Sequence, residues 1–335
     1  MQNHKKLSKQ VNTTSFKAWA NMAIAKYAQK IFKYEAKVIK DKDPENLHQM
    51  RVGVRRLRSA INNLNLALDL PASITERNLG KIGRSLGKLR DLDVLMAQLE
   101  DGYRPQLPQS EQEQLDIAIL ALHKQRQHKL QSVRKTLKGQ LYLNLKQELA
   151  QWLSCPQYLP QGNLALNLVV PDLLLPQVSQ LLLHPGWLVG VELATEQELS
   201  IVPMSTTKAV KKILDREETL LHDLRKTAKQ TRYNLELFSQ FYDAEYQNYL
   251  EQIEQIQAVL GEIQDAYVLR AVLEQVLKTP IKQKMPELAQ LLNHTRDQKW
   301  QQWSILQQRF LSEATRQELR EVICRVGQRD TSRLN

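Results

Sequence analysis

The segment LHQMRVGVRRLR at residues 47–58 returns as LHDLRKTAKQTR at 221–232. A second pair, LGKLRDLDVLMAQL (86–99) and LGEIQDAYVLRAVL (260–273), is separated by the same 174 positions that separate His48 from His222. A common offset in two matched pairs means a duplicated unit, and this bounds the fold before any element is assigned. At about 100° per residue, His48, Arg51, Arg55 and Arg58 fall in one narrow sector of a helix. Leu47, Met50, Val54, Leu57, Ile61, Leu64 and Leu68 occupy the neighbouring sector, so a basic stripe runs along the edge of a buried side. His222, Arg225, Lys229 and Arg232 repeat that stripe beside Leu221, Leu224, Ala228, Leu235 and Phe238.

The rest of the chain reads as helices of similar kind. A helix is expected to start near Thr13, Thr14 or Ser15 and run to Asp41, with Lys17, Lys26, Lys30, Lys33 and Lys37 on a solvated face. The motif helix should follow Pro44 and end near Asp69, before Pro71. The next, from about Thr75 to Leu99, carries Arg77, Lys81, Arg84 and Lys88 as a second basic stripe. A long helix from about Ser110 to Leu137 or beyond completes a four-helix unit and brings Lys124, Arg126, Lys129, Arg134, Lys135 and Lys138. Between Gln147 and Thr207 there is no Lys or Arg and six prolines intervene, so the halves join there. Within that join, PDLLLPQVSQLLL fits a short helix, and WLVGVE with LSIVP fits either a small strand pair or an apolar loop. A last helix, about Pro286 to Ser312, bears Arg296, Lys299, Trp300, Trp303 and Phe310, its aromatics read as core.

Charge separates the two copies. From His48 to Arg90 nine Lys/Arg face two acids, a local net of +7, and such one-signed density calls for an external counter-charge. Residues 233–273 hold seven acids and one base, a net of −6, so anion binding should weigh on the first half. The whole chain has 335 residues, a charge of +11 and a pI near 9.5, which favours polyanionic partners: nucleic acid, anionic lipid or a phosphate polymer. Two distant cysteines, Cys155 and Cys324, give neither a disulfide framework nor a zinc cluster and fit a reducing cytosol. The basic N-terminus, 1–11, reads as a tail rather than a secretion signal, and the apolar run 164–175 is too short to span a bilayer. No nucleophile–base set, Walker-type glycine loop or carboxylate cluster for Mg²⁺ accompanies the stripes, so the chain reads as a binding module rather than an enzyme. It needs no cofactor, and no Asp, Glu or Cys shares the histidines' sector for a metal.

HQMRVGVRRLR and HDLRKTAKQTRYNLELF, each followed by an LG-x-x-x-D helix, resemble the two halves of a CHAD domain, the conserved histidine α-helical domain. The resemblance covers about residues 12–325. It implies an all-α fold of two pseudo-symmetric four-helix bundles, about 12–150 and 165–325, with a basic groove or pore between them. It also implies non-catalytic binding of inorganic polyphosphate in the cytoplasm, with targeting to polyphosphate granules as an extension. Carried onto this chain, the resemblance implies contacts from His48, Arg51, Arg55 and Arg58 in one half and from His222, Arg225, Lys229 and Arg232 in the other. The basic stripes add Arg56, Arg77, Lys81, Arg84, Lys88, Arg90, Arg126 and Lys129 in the first half, and Lys226, Arg296 and Lys299 in the second, as candidate contacts. Arg90 and Asp91 match the family's Arg-Asp pair, whereas Gln264 stands in place of that arginine in the second half. The triphosphate-tunnel strand often joined to this family, Glu-x-Glu-x-Lys, has its nearest counterpart in Glu196-Gln-Glu198-Leu-Ser200, which lacks the lysine.

Polyphosphate asks for donors spread along a track. Successive turns place guanidinium forks roughly 5 Å apart, each able to hold two oxygens. The stripes contain no aromatic rings for stacking bases, which favours polyphosphate over RNA or DNA, the alternative ligand for the same surface. His48 and His222 have two open roles: ionised phosphate donors, or neutral rings making an internal hydrogen bond.

Overall fold

A computed structural model of the chain describes residues 15–193, 199–201 and 207–327. The described residues form two compact units that divide between Val169 and Val170. The expected 1–11 tail, and the Glu196–Glu198 stretch, lie outside the described residues.

In the first unit, helix α1 (Phe16–Lys40) starts at Ser15, whose Oγ accepts from the Ala18 amide, and stops at Asp41, which turns left-handed at φ 53°. Asp43 caps α2 (Pro44–Leu64) and Pro44 occupies its first turn, where a missing N–H costs nothing. This helix ends several residues before the expected Asp69. The reason is a competing pairing: Leu159 N donates to Ala67 O and Asp69 N to Gln157 O, so the chain turns after Leu64 and pairs through a Leu68–Tyr158 bridge. Thr75 caps α3 (Glu76–Ala97), which passes into a π-helical turn at Gln98–Tyr103. After α4 (Gln109–Lys138), Gly139 takes an extended conformation, and a separate α5 (Gln140–Ser154) follows. This unit therefore has a fifth helix beyond the four expected. Its core is built from Phe16, Ile24 and Ile31 on α1, Met50 and Leu57 on α2, and Leu86 and Leu122 on α3 and α4. Complete burial of Met50 and Leu57 contributes about 2 kcal/mol each.

Helix α6 (Leu166–Leu182) spans the division and contains Pro171 and Pro176. The stretch Leu166–Leu188 is long and apolar enough to cross a membrane by length and composition, where the run 164–175 alone is not. One side of it, Leu166, Val170, Leu174, Val178 and Leu181, is buried, as in a core helix of a globular protein. The strand pair forms: β1 (Val191–Leu193) pairs antiparallel with β2 (Leu199–Ile201).

The second unit continues with α7 (Thr207–Arg216), α8 (Glu218–Phe238), α9 (Ala244–Leu277), α10 (Ile281–Lys284), α11 (Pro286–Leu311) and α12 (Glu313–Cys324). Both ends of α8 stand 174 positions after those of α2, so the repeated sequence makes repeated helices. Trp300, Trp303 and Phe310 are buried as the sequence suggested. Trp187 stacks on Trp303 at 5.1 Å and on Phe310 at 5.4 Å, while Gln307 donates to the carbonyls of Trp187 and Val189. The chain is thus all-α with one two-stranded addition.

Candidate functional site

The α2–α3 face of the first unit is set by backbone proximity. Gly53 of α2 has no Cβ, and one added there would lie 3.0 Å from Ile31 Cγ1 on α1. On the other side, Gly80, Gly83 and Gly87 of α3 meet Arg58, Val54 and Arg51 of α2. Close approach of the helices brings the two basic stripes together. His48, Arg51, Arg55 and Arg56 are half-buried and Arg58 is exposed. Arg51 Nη2 reaches Asp91 Oδ1 at 3.5 Å, and Arg58 forms an ion pair with Glu76. Arg77, Lys81, Arg84 and Lys88 are all exposed, Arg90 is half-buried with its Nε unbonded, and among the described residues none of the five has an ion-pair partner. The outward α3 stripe is therefore uncompensated.

The second unit presents the same helices with the charges answered internally. Arg225 lies 3.8 Å from Asp265, and Lys226 pairs with Asp223. Arg232, only 9% exposed, is held by Glu254 and Glu236 and lies 4.9 Å over the Tyr233 ring. Buried Arg296 pairs with Asp215 at 2.8 Å and Lys299 with Glu262 at 3.0 Å. Gln264, at the position matching Arg90, donates to Glu218 at 2.7 Å. Lys229 is half-buried. Where α3 carries Arg77, Lys81, Arg84 and Lys88, α9 carries Glu251, Gln255, Ala258 and Glu262.

Two further sequence candidates separate in the structure. Lys129 is exposed, whereas Arg126 is an internal clamp. Its Nη1 and Nη2 bond Asp41 at 2.7 and 2.8 Å and its Nε bonds Asp93 at 2.6 Å, which consumes the outward donors of the fork. Hydrogen bonding to Asp41 holds the guanidinium further into its charged range, and burial pushes the Asp93 carboxyl up against the pull of Arg126.

Sequence reasoning passed over Lys30. It treated the α1 lysines as a solvated face; Lys17 reaches Asn163, far along the chain, while Lys33 and Lys37 lie over the Tyr34 ring of their own helix. The Lys30 stem instead sits 3.5 Å from the Cβ position of Gly53, and burial, then Arg56, lowers its pKa. The signal available in sequence was Gly53, which marks where α1 comes close enough for a lysine to reach α2.

Both motif histidines are shifted below the usual 6.5, His48 by burial and then Arg90, His222 by burial and then Lys226. They are neutral at pH 7, and His222 Nδ1 is buried without a hydrogen-bond partner. Because folding depresses these pKa values, their contribution to stability is complete above pH 6.5 and is lost as pH falls through the folded values. Thermal midpoints at pH 7.5 and 5.5 test this: the midpoint is expected to fall at the lower pH, and to fall less in His48→Gln. Among the described residues no group of three or more His, Cys, Asp or Glu could hold a metal ion.

Fold and site together define an all-α protein whose duplicated motif helices carry a histidine and a basic stripe. The CHAD domain family model matches residues 22–274, and the chain belongs to that family. Among solved structures it is similar to the crystal structure of the CHAD domain from the plant Ricinus communis, with 23% identity over 93% of this chain and 92% of that one and a TM-score of 0.57. It is also similar to PptA from Streptomyces chartreusis, with 14% identity over 91% of this chain and 99% of that one and a TM-score of 0.55. At these identities the two structures show the fold alone. No curated protein matches the chain.

Proposed function

We propose that this protein binds inorganic polyphosphate on the α2–α3 face of its first unit and does not turn it over. The observation that carries the reading is the contrast between Arg77, Lys81, Arg84, Lys88 and Arg90, which have no ion-pair partner among the described residues, and their second-unit counterparts Glu251, Gln255, Ala258, Glu262 and Gln264, which carry no positive charge. Unpaired cations on a surface repel one another, and a flexible polyanion relieves that repulsion along its whole length. Charge-assisted bonds from arginine forks add direct contacts, and counterion release makes the affinity fall with salt. The reading is of a cytoplasmic protein that associates with polyphosphate granules, which suits two exposed, unpaired thiols.

Retention of polyphosphate on immobilised protein, followed across a salt gradient, tests the reading. Retention should weaken as salt rises, and Arg51→Ala, Arg55→Ala and Arg58→Ala together should remove most of it. Incubation with Mg²⁺ or Mn²⁺ should leave the chain length unchanged; shortening would establish an enzyme instead. Lys30 belongs to the same face in this reading. Its lowered pKa raises its neutral, nucleophilic fraction near neutrality, so mass spectrometry should find it acylated by an amine-reactive ester and protected by polyphosphate.

A further inference from the structure

The Arg51 guanidinium lies on α3 where a side chain is missing. A Cβ on Gly87 would meet Arg51 Nε at 3.4 Å, Nη2 at 3.6 Å and Cζ at 4.0 Å, and Nη2 continues to Asp91 Oδ1 at 3.5 Å. The second unit contains the same arrangement 174 positions on. A Cβ on Gly261 would meet Arg225 Nε at 3.1 Å, Nη2 at 3.2 Å and Cζ at 3.5 Å, and Nη2 lies 3.8 Å from Asp265 Oδ1.

Three facts argue against simple helix packing as the reason. Of the three α3 glycines that face α2, only Gly87 recurs: Gly80 and Gly83 correspond to Glu254 and Gln257. A glycine inside a helix costs about 0.5–1 kcal/mol relative to alanine, and both copies accept that cost at this one position. The carboxylate contacts are long and Asp91 is 70% exposed, so this pair contributes little to holding α2 against α3. Meanwhile the charges around the two sites have diverged, from Arg77 and Lys88 to Glu251 and Glu262. What persists is a guanidinium lying against a glycine with an aspartate beside it.

We infer that Gly87 with Asp91, and Gly261 with Asp265, are positioning residues that seat Arg51 and Arg225 for contact with a phosphate oxygen. This deepens the polyphosphate reading and rests on it for the ligand, not for the geometry. A pre-set fork loses little side-chain freedom on binding, and that freedom is what an unseated arginine gives up. Each unit thus keeps one prepared phosphate contact, whereas the continuous track belongs to the first.

The test uses the full-length chain with three readouts: affinity for polyphosphate of defined length, thermal midpoint, and the NMR signal of the Arg51 Nε–H. Gly87→Leu leaves the charge unchanged and fills the space that the guanidinium occupies, which a bare Cβ at 3.4 Å would only touch, so affinity should fall about fivefold and the Arg51 signal should move and broaden in a chain whose midpoint shows it folded. In an Arg51→Ala background the same change should cost nothing more. Asp91→Asn, at an exposed position, should also lower affinity at about 0.5 M salt, where screening removes most of the benefit of a lost negative charge. Wild-type affinity in Gly87→Leu, an undiminished cost in the Arg51→Ala background, or a gain in Asp91→Asn would overturn the inference. If the wild-type chain binds no polyphosphate, the functional reading fails by itself. The seat is then judged by the NMR signal, and an Arg51 resonance unaffected by Gly87→Leu overturns it.

Discussion

Replacing Arg77, Lys81, Arg84 and Lys88 together by alanine is expected to lower affinity for long polyphosphate by about a hundredfold or more near 0.1 M salt. All four side chains are exposed and unpaired among the described residues, so the fold has no reason to change. Losing four cations from the track should also reduce the slope of log affinity against log salt by about three. The corresponding experiment in the second unit should give a small result. Lys226 and Lys299 already face Asp223 and Glu262, and alanine at both should change affinity by about twofold or less. The charge pattern also predicts a gain. Glu251→Lys with Glu262→Lys restores the sign that α3 has at Arg77 and Lys88, and should add a second, weaker binding equivalent visible in the titration stoichiometry. Equal losses from both units would mean that binding ignores the asymmetry of charge.

Arg126→Ala should do the opposite: damage stability while sparing the binding chemistry of the folded protein. Arg126 and its two partners are little exposed, at 13% for the arginine, 15% for Asp41 and 5% for Asp93. Removing the arginine strands two carboxylates in a part-buried site, a loss of about 3–5 kcal/mol by comparison with other broken buried pairs. Arg126→Lys keeps the charge but cannot bridge both carboxylates through a fork, and should recover only part of the loss. Denaturant unfolding of the three proteins, followed by helical circular dichroism, measures this. An unchanged midpoint in Arg126→Ala would show that the clamp is not part of the fold's support. Mild acid should narrow the gap between variant and wild type. Burial raises the Asp93 pKa even with its partner present, so Asp93 protonates early and the pair weakens.

The sequence read well where one helix face decides the outcome. The stripe His48, Arg51, Arg55, Arg58 and the apolar set from Leu47 to Leu64 have a single period, so the helix, its buried side and its repeat at His222 all followed from spacing. Pro44 and Thr75 marked their helix starts, and Ser15 is the cap among the three candidates Thr13, Thr14 and Ser15, because capping is a local interaction. The early end of α2 did not follow, since it depends on Ala67 and Asp69 pairing with Gln157 and Leu159, far along the chain. The separate α5 hung on one extended residue, Gly139, inside an otherwise helical pattern.

Ion pairing was the least readable property of the site. Arg126 and Arg296 looked like Lys129 and Lys299 in a count of charges, yet both arginines are internal, because Asp41, Asp93 and Asp215 are neighbours only after folding. The acids counted over 233–273 include Glu236, Glu254, Glu262 and Asp265, which pair with Arg232, Lys299 and Arg225 once the chain is folded. Lys30 erred in the other direction. Periodicity placed it in solvent, and only the glycine contact between α1 and α2 shows it leaning on the motif helix.

The central claim is that a phosphate polymer, rather than a nucleic acid, is the ligand of the first unit's basic face. The most direct measurement is a competition titration: polyphosphate of defined length bound to the full chain, challenged with RNA at equal phosphate concentration, at two salt concentrations. The account predicts that polyphosphate stays bound at both, with its affinity lower at the higher salt. Displacement by RNA at equal phosphate, or polyphosphate binding that does not respond to salt, would contradict it.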